Sequence, residues 1–343
     1  MIPLENPTQA RLLAGRRLEM ALALEDEGDL DAAWACLEEA FACDGDWDQA
    51  WFARGRLAEA RRDGAAAPAA YRRYLDLDPA DVMGARARLT LIGAAATPAR
   101  LPSAYVERLF DAYAPRFDEA LVGHLDYRAP QVIAALLDRL RPGGGWASAL
   151  DLGCGTGLAG VALRGRAARL DGIDLSRGML RQAEATGRYA RLVHGDLADE
   201  AAIPAGPYDL VLAADSLNYL GDLAPLFAAI GRRLAPGGLF VLTVERADEP
   251  GYRLGEGQRF RHHEATLRAW AGAAMLSVAA VEHSVIRTER GRPVEALAVA
   301  LTPGLPDLPA TVPARPQGRL RVPASMPAPV PASVPEAEPE RPV

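Results

Sequence analysis

The chain has 343 residues, half of them apolar, which is enough to bury at least one full hydrophobic core and points to two folded units plus an extra segment. Its formal net charge of -7 works against binding a phosphate backbone, since that binding rests on releasing counterions to clustered cations, so no nucleic-acid partner is expected. All 38 basic residues are arginine, and without a lysine amine both Schiff-base catalysis and the phosphate-loop nucleotide site are excluded.

Taken in chain order, the first 80 residues carry Ala, Leu, Arg and Glu at helical spacing, broken at Gly28-Asp29, Asp44-Gly45, Asp63-Gly64 and Asp78-Pro79, and are predicted to be short helices. Ala33, Leu37 and Ala40 are followed 34 residues later by Ala67, Tyr71 and Tyr74, the period of a helix-turn-helix array. With Trp51 and Gly55 in a first helix and Tyr71 to Pro79 closing the second, the stretch resembles tetratricopeptide repeats, although Tyr74 stands where a small residue is usual and Gly64 is displaced. About two repeats are visible where roughly three make a free-standing stack, so residues 1–95 are expected to dock, on the rest of the chain, on a second copy as a homodimer, or on a protein partner. A linker near Ala94 to Pro102 leads to an amphipathic stretch, Tyr105 to Leu121, read as one helix or two joined near Pro115.

From Ala149 to Glu245 apolar strands and helices alternate, which predicts an α/β fold with a doubly wound, mostly parallel sheet and right-handed crossovers. Met275 to Ile286 and Pro293 to Leu301 read as a hairpin joined by Glu289 to Arg292. Residues 100–302 are taken as this second domain, with helices over 103–140 preceding its first strand. Twelve of the 27 prolines follow Leu301, and a stretch so poor in aromatics does not offset its ordering entropy, so 303–343 is expected to be disordered. No apolar run reaches the roughly 18 residues that span a bilayer, and Met1 to Gln9 lacks the order of a signal peptide, so the chain is expected to be cytoplasmic and away from membranes. Cys36, Cys43 and Cys154 are too scattered for a disulfide frame or a zinc site, and no metal is expected.

The chemistry concentrates at Asp151-Leu-Gly-Cys-Gly-Thr-Gly157. Gly153, Gly155 and Gly157 let the backbone turn sharply and approach a ligand closely, while the helix that follows presents unpaired N–H groups. Gly155, Gly157 and Gly160 also fit the spacing of the dinucleotide fold, with Asp174 at the right distance for a ribose diol, so a nicotinamide dinucleotide oxidoreductase is a second reading. Against it stands Asp151, a carboxylate before the glycines, where a pyrophosphate would be repelled.

The whole constellation resembles class I S-adenosylmethionine-dependent methyltransferases, of the bacterial type with N-terminal tetratricopeptide repeats: Asp151 opening the loop, the alternating glycines, Asp174 ending the second strand, Gly195-Asp-Leu197 after the third, Tyr208 to Asp215 as the fourth, and Leu234 to Gly238 turning into the fifth. The resemblance implies a Rossmann-like methyltransferase with S-adenosyl-L-methionine as cofactor. It implies that Asp174 takes the ribose hydroxyls, Asp196 the adenine amino group with Leu175 and Leu197 on the ring, and Gly153 to Gly157 the methionine part, with Asp215 also on the cofactor side. A cationic sulfur and a diol both suit a pocket lined by Asp151, Asp174 and Asp196. Phe110 to Asp118 and Gly123 to Pro130 resemble the cap helices of the same family, whose aromatic residue closes over the cofactor; Tyr113 is the candidate here. Gly251-Tyr-Arg-Leu and Arg259-Phe-Arg-His262 resemble the family's C-terminal flank, with Gln258 and Phe260 replacing Gly and Tyr. Asp196 and Asp215 equally suit plain helix caps.

Methyl transfer from a sulfonium is an in-line displacement that positioning alone accelerates, so a base is optional. For a hydroxyl acceptor, His262 or His124 are the candidate bases, and Asn218 and Tyr219, after the fourth strand, are candidates to face the acceptor. The acceptor itself, small molecule or protein side chain, is left open, as is a third reading, a non-catalytic repeat scaffold with a degenerate methyltransferase domain.

Overall fold

The computed structural model describes residues 7–119, 121, 125–163 and 165–304; His124 and the proline-rich stretch from 305 onward lie outside them. The chain divides into two compact units, one of Met1–Tyr105 with Leu254–Gln258 and one of Val106–Arg253 with Arg259–Val343.

The first unit is helical: α1 (Pro7–Asp26), α2 (Leu30–Cys43), α3 (Asp48–Ala60), α4 (Ala66–Leu77) and α5 (Ala85–Leu91). Asp29 starts α2 by accepting the Ala32 N–H at 3.1 Å, which satisfies one of the amides a helix start leaves unpaired. Ala33, Leu37 and Ala40 of α2 and Ala67, Tyr71 and Tyr74 of α4 are all buried, so the 34-residue spacing falls on inward faces. Gly55 lets α3 approach α4: a Cβ there would stand 2.4 Å from the Tyr71 ring, inside any tolerable contact. Tyr71 cannot yield, because its ring is fully buried, tilts against Phe52 at 5.5 Å, and its hydroxyl donates to Glu59 at 2.5 Å.

The second unit is a mixed, mostly parallel sheet flanked by helices. Its strands are β1 (Trp146–Leu152), β2 (Ala167–Asp174), β3 (Arg191–His194), β4 (Tyr208–Ala213), β5 (Leu234–Arg246), β6 (Tyr252–Leu254), β7 (Phe260–His262), β8 (Leu276–Glu289) and β9 (Arg292–Pro303). The order runs β3-β2-β1-β4-β5-β7-β6, and β9 pairs antiparallel with both β5 and β8. The central strands alternate between two apolar faces. Leu150 and Leu152 pack with Phe227 and Ile230 of α10 (Ala224–Gly231) and Leu267 of α11 (Glu264–Ala273). Ala149, Leu210 and Leu212 face Ile133, Leu136 and Leu137 of α7 (Ala129–Leu140) and Ala159 of α8 (Leu158–Ala162). A three-layer core follows from that two-sided alternation.

Ahead of the sheet, α6 (Ser103–Tyr113) gives way to a 3-10 turn at Ala114–Arg116, where Pro115 supplies no N–H to continue the ladder. The chain order reverses between β1 and β4, and in such sheets the carboxyl ends of the strands at the reversal are where ligands bind.

The Gly55–Tyr71 approach makes a stability prediction. Gly55→Ala gains helix propensity but forces overpacking, and the net loss is expected to be about 1–2 kcal/mol. Urea unfolding followed at 222 nm (about the helix band) checks it; an unchanged midpoint would show that α3 and α4 separate at little cost.

Candidate functional site

At the reversal, the chain leaves β1 through Gly153, with φ +62°, and Gly155, with φ +54°, both in the left-handed region that glycine alone enters freely. Gly153 is required for a second reason: a Cβ there would meet the Ser216 Cβ at 2.5 Å. Ser216 follows β4 and donates its hydroxyl to the Leu152 carbonyl at 2.5 Å, so the ends of β1 and β4 are stitched together.

The carboxylate of Asp174, at the end of β2, accepts the Gly155 N–H at 2.9 Å and the Ser176 N–H at 2.8 Å. Burial raises its pKa, and the Ser176 and Gly155 amides partly oppose that. Asp151, the last-but-one residue of β1, is buried and accepts the Tyr189 hydroxyl at 2.7 Å. Burial first, and then the nearby Asp174 charge, push its pKa up to about 7, while the Tyr189 hydroxyl pulls the other way. The Tyr189 ring fits because Gly157, Gly160 and Gly172 carry no Cβ: atoms there would stand at 3.1, 2.8 and 2.9 Å from it. Gly160 thus serves side-chain packing.

Leu175 and Leu197 are half-buried beside these acids, and Asp196 accepts the Ala198 N–H at 2.8 Å in a local turn. His194, paired in register with Asp174 across β2 and β3, directs Nε2 at the Leu175 carbonyl, 2.8 Å away. Asp151, Gly153, Gly155, Gly157, Asp174, Leu175, Asp196 and Leu197 thus gather at the carboxyl ends of β1, β2 and β3.

Over them lies the segment around α6. Phe117 comes within 3.9 Å of the Cβ position of Gly155, and Tyr113 and Phe110 meet Phe117 edge-on at 5.5 and 6.2 Å. Phe110 also meets Tyr219 at 5.3 Å, which joins the cap to the loop after β4. Burial raises the pKa values of the Tyr113 and Tyr219 phenols, so neither is a ready proton acceptor near neutral pH.

Two of the candidate residues are engaged in buried contacts. Asp215, with φ +57°, turns its carboxylate to Arg287 and to the Asn218 Nδ2. Arg287 also binds Glu245 and Glu289, and Arg259 bridges the same two acids. Burial works against the Arg287 charge, but Asp215, Glu245 and Glu289 more than offset it and hold the guanidinium above its ordinary pKa. His262, in turn, is fully buried, and its Nε2 donates toward the Leu220 and Gly221 carbonyls at 3.1 and 3.0 Å. Burial depresses its pKa to about 4, so it is neutral at pH 7, and it braces the chain after β4.

Several residues here escaped the sequence reading. Tyr189, Ser216, Arg287 and Glu245 meet their partners only through the fold. The acids Glu107 and Asp111 of α6 were visible as an i, i+4 pair on one helix face, a pattern that ordinary solvated helices share.

Residues 149–238 match the sequence model of a family described as "Methyltransferase domain". The chain is 38% identical over 139 residues to methyltransferase-like protein 27 of Homo sapiens, covering 39% of this chain and 56% of that protein. It is 38% identical over 111 residues to trans-aconitate 2-methyltransferase of Azoarcus sp. strain BH72, covering 32% and 43%. A solved S-adenosylmethionine-dependent methyltransferase from Clostridium acetobutylicum aligns over 57% of this chain and 99% of its own at 20% identity, with a TM-score of 0.43. The chain spans about half the length of the curated relatives it matches. Residues 149–238 are thus similar to a methyltransferase domain.

Two variants test the electrostatics. The native pKa of Asp151, about 7, lies above its ordinary 3.8, so between those values the folded state holds a proton that the unfolded chain releases. The stabilising contribution is therefore complete below about pH 4 and lost as pH rises through about 7. Asp151→Asn keeps an acceptor for Tyr189 and does not titrate, so the wild type should lose stability relative to it over that window in urea melts; parallel curves would contradict the assignment. Arg287→Ala leaves three acids without their shared cation and should cost about 3–5 kcal/mol, read from the same melts.

Proposed function

We propose that the chain is an S-adenosylmethionine-dependent methyltransferase acting on a small-molecule acceptor. The observation that carries this reading is the charge of the glycine loop's surroundings. The Gly155 N–H, which would cradle a phosphate in a dinucleotide site, donates to Asp174, and Asp151 lies buried behind the same loop. Buried carboxylates at that place oppose a pyrophosphate and favour a cation. This disfavours the nicotinamide dinucleotide reading. It also disfavours a retired scaffold, in which such buried acids would be a cost without a use.

The donor set fits the cofactor. Asp174 retains a second lone pair on each oxygen for a ribose diol, half-buried Leu175 and Leu197 offer apolar surface to an adenine, and Asp196 stands beside them for its amino group. When bound, the cofactor supplies an electrophilic methyl on a cationic sulfur. The loop Gly153 to Gly157 then holds the methionine part, and Phe110, Tyr113, Phe117 and Tyr219 exclude water above it. Tyr219 and Asn218 face the acceptor in this reading. The relatives named for trans-aconitate, a small acid, support a small-molecule acceptor, while one named for ribosomal protein L11 keeps a protein side chain as the second choice. Because His262 is buried and its low pKa makes it a weak base, the chain acts by positioning, and His124 is the base if the acceptor is a hydroxyl.

The helical unit is, in the same proposal, a short tetratricopeptide-like array that meets a partner protein or a second copy and leaves cofactor binding to the other unit. Its inward faces repeat at 34 residues, from Ala33, Leu37 and Ala40 to Ala67, Tyr71 and Tyr74. Among the described residues no helix is long and apolar enough to cross a membrane, in keeping with action in the cytoplasm.

Calorimetric titration with S-adenosylmethionine, S-adenosylhomocysteine and NAD decides the reading: the first two should bind and the third should not. Asp174→Ala should weaken binding by about 1.5–3 kcal/mol, the range for hydrogen bonds to a charged partner, and Asp196→Ala by less, since it meets one amino group in place of a diol. Saturable NAD binding without a response to S-adenosylhomocysteine would promote the oxidoreductase.

A further inference from the structure

Two carboxylates of the segment from Val106 to Asp118 hydrogen-bond to different strand ends of the glycine-loop site, and a third lies beside another. Asp118 accepts the Thr156 hydroxyl at 2.5 Å, in the loop after β1. Asp111 accepts both the Ser176 hydroxyl at 2.5 Å and the Gly178 N–H at 2.8 Å, after β2, where Ser176 itself caps α9 (Arg177–Ala185) through the Met179 N–H. Glu107 lies 3.3 Å from the His194 Nε2, at the end of β3. Between these three points Phe117 lies in van der Waals contact over Gly155, and Ala114 sits 3.0 Å from the Cβ position of Gly178, where the segment is tightly packed.

The arrangement has a physical consequence. Glu107, Asp111 and Asp118 lie at the solvent-facing rim, where each bond can break and reform against water, while the aromatic residues they hold down cover the site beneath. The bonds of Asp118 and Asp111 reach the loops after β1 and β2 that carry Gly153 to Gly157 and follow Asp174, so lifting this cover breaks both. We propose that Glu107, Asp111 and Asp118 are positioning residues that latch the segment over the cofactor site and set the rate at which the product S-adenosylhomocysteine leaves. The proposal rests on the methyltransferase reading and adds to it the step that limits cofactor exchange. The latch touches the loop amides and hydroxyls, and not the reacting atoms, so it governs release without taking part in the chemistry.

The test measures release directly on the full chain. Labelled S-adenosylhomocysteine is bound, chased with excess unlabelled ligand, and captured on filters over time. Asp111→Ala and Asp118→Ala should each speed release at least tenfold, and Glu107→Ala less, because its partner is a single exposed imidazole. Thr156→Val removes the donor facing Asp118 and leaves the cap intact. It should reproduce the Asp118→Ala rate, and the double variant should add nothing further, which a general loss of packing would not mimic. Amide exchange over 106–118 of the wild type supplies a readout that needs no variant and should slow when S-adenosylhomocysteine is added. Folded variants that release ligand at the wild-type rate, additive effects of Asp118→Ala and Thr156→Val, or exchange unchanged by ligand would each overturn the latch while leaving the methyltransferase reading in place. A wild type that binds neither S-adenosylmethionine nor S-adenosylhomocysteine would overturn both.

Discussion

The bond from the Gly155 N–H to the Asp174 carboxylate is the constraint on which the rest of the site depends. It forms only if β1 and β2 run parallel in the observed register, with Asp151 beside Gly172 and Leu152 beside Ile173, and if Gly155 enters the left-handed region. Once formed, it consumes an amide that would otherwise attract an anion and replaces it with a negative charge at the strand ends. The same glycine-rich turn that elsewhere receives pyrophosphate is thereby set for a cation. The elevated pKa of Asp151 has burial as its main cause, with the neighbouring Asp174 charge adding to it.

The charges on the other side of the reversal serve a different end. Asp215, Glu245 and Glu289 surround Arg287, which joins the loop after β4 to the β8–β9 hairpin. A buried network of this kind adds little net stability, because desolvation offsets most of the attraction, but it admits one arrangement of its members. What it fixes is the path of Asp215 to Tyr219: Asn218 is oriented by Asp215, and Tyr219 is brought against Phe110 of the cap. The course of this loop thus rests on buried side chains, with neutral His262 bracing it through two backbone carbonyls.

The two units reach close packing by the same device. Gly55 admits Tyr71 in the helical unit, and Gly157, Gly160 and Gly172 admit Tyr189 in the sheet unit; in each case an aromatic ring fills the space of missing Cβ atoms and its hydroxyl ends on a carboxylate. Buried tyrosine needs that partner, since an unmet hydroxyl is costly in an apolar interior.

Local sequence determined much of this protein. Apolar runs alternating with helical stretches predicted the strands, glycine and aspartate breaks predicted the short helices, and the spacing from Asp151 through Asp174 to Asp196 located the acids that the fold gathers at three strand ends, because strand, turn and helix preferences act over a few residues. Pro115 likewise marked the break after α6. What lay beyond the sequence was the use of each charge. Asp215 and Asp174 both follow a sheet strand and look alike in the sequence, yet Arg287, 72 residues away, claims the first, while the Gly155 and Ser176 amides hold the second. His262, a candidate base by its position, is fully buried, and Glu107, Asp111 and Asp118 meet the three strand ends only through the fold. Charge pairing and burial are decided by whichever residues long-range topology brings within a few ångströms, and only the tertiary structure sets that distance.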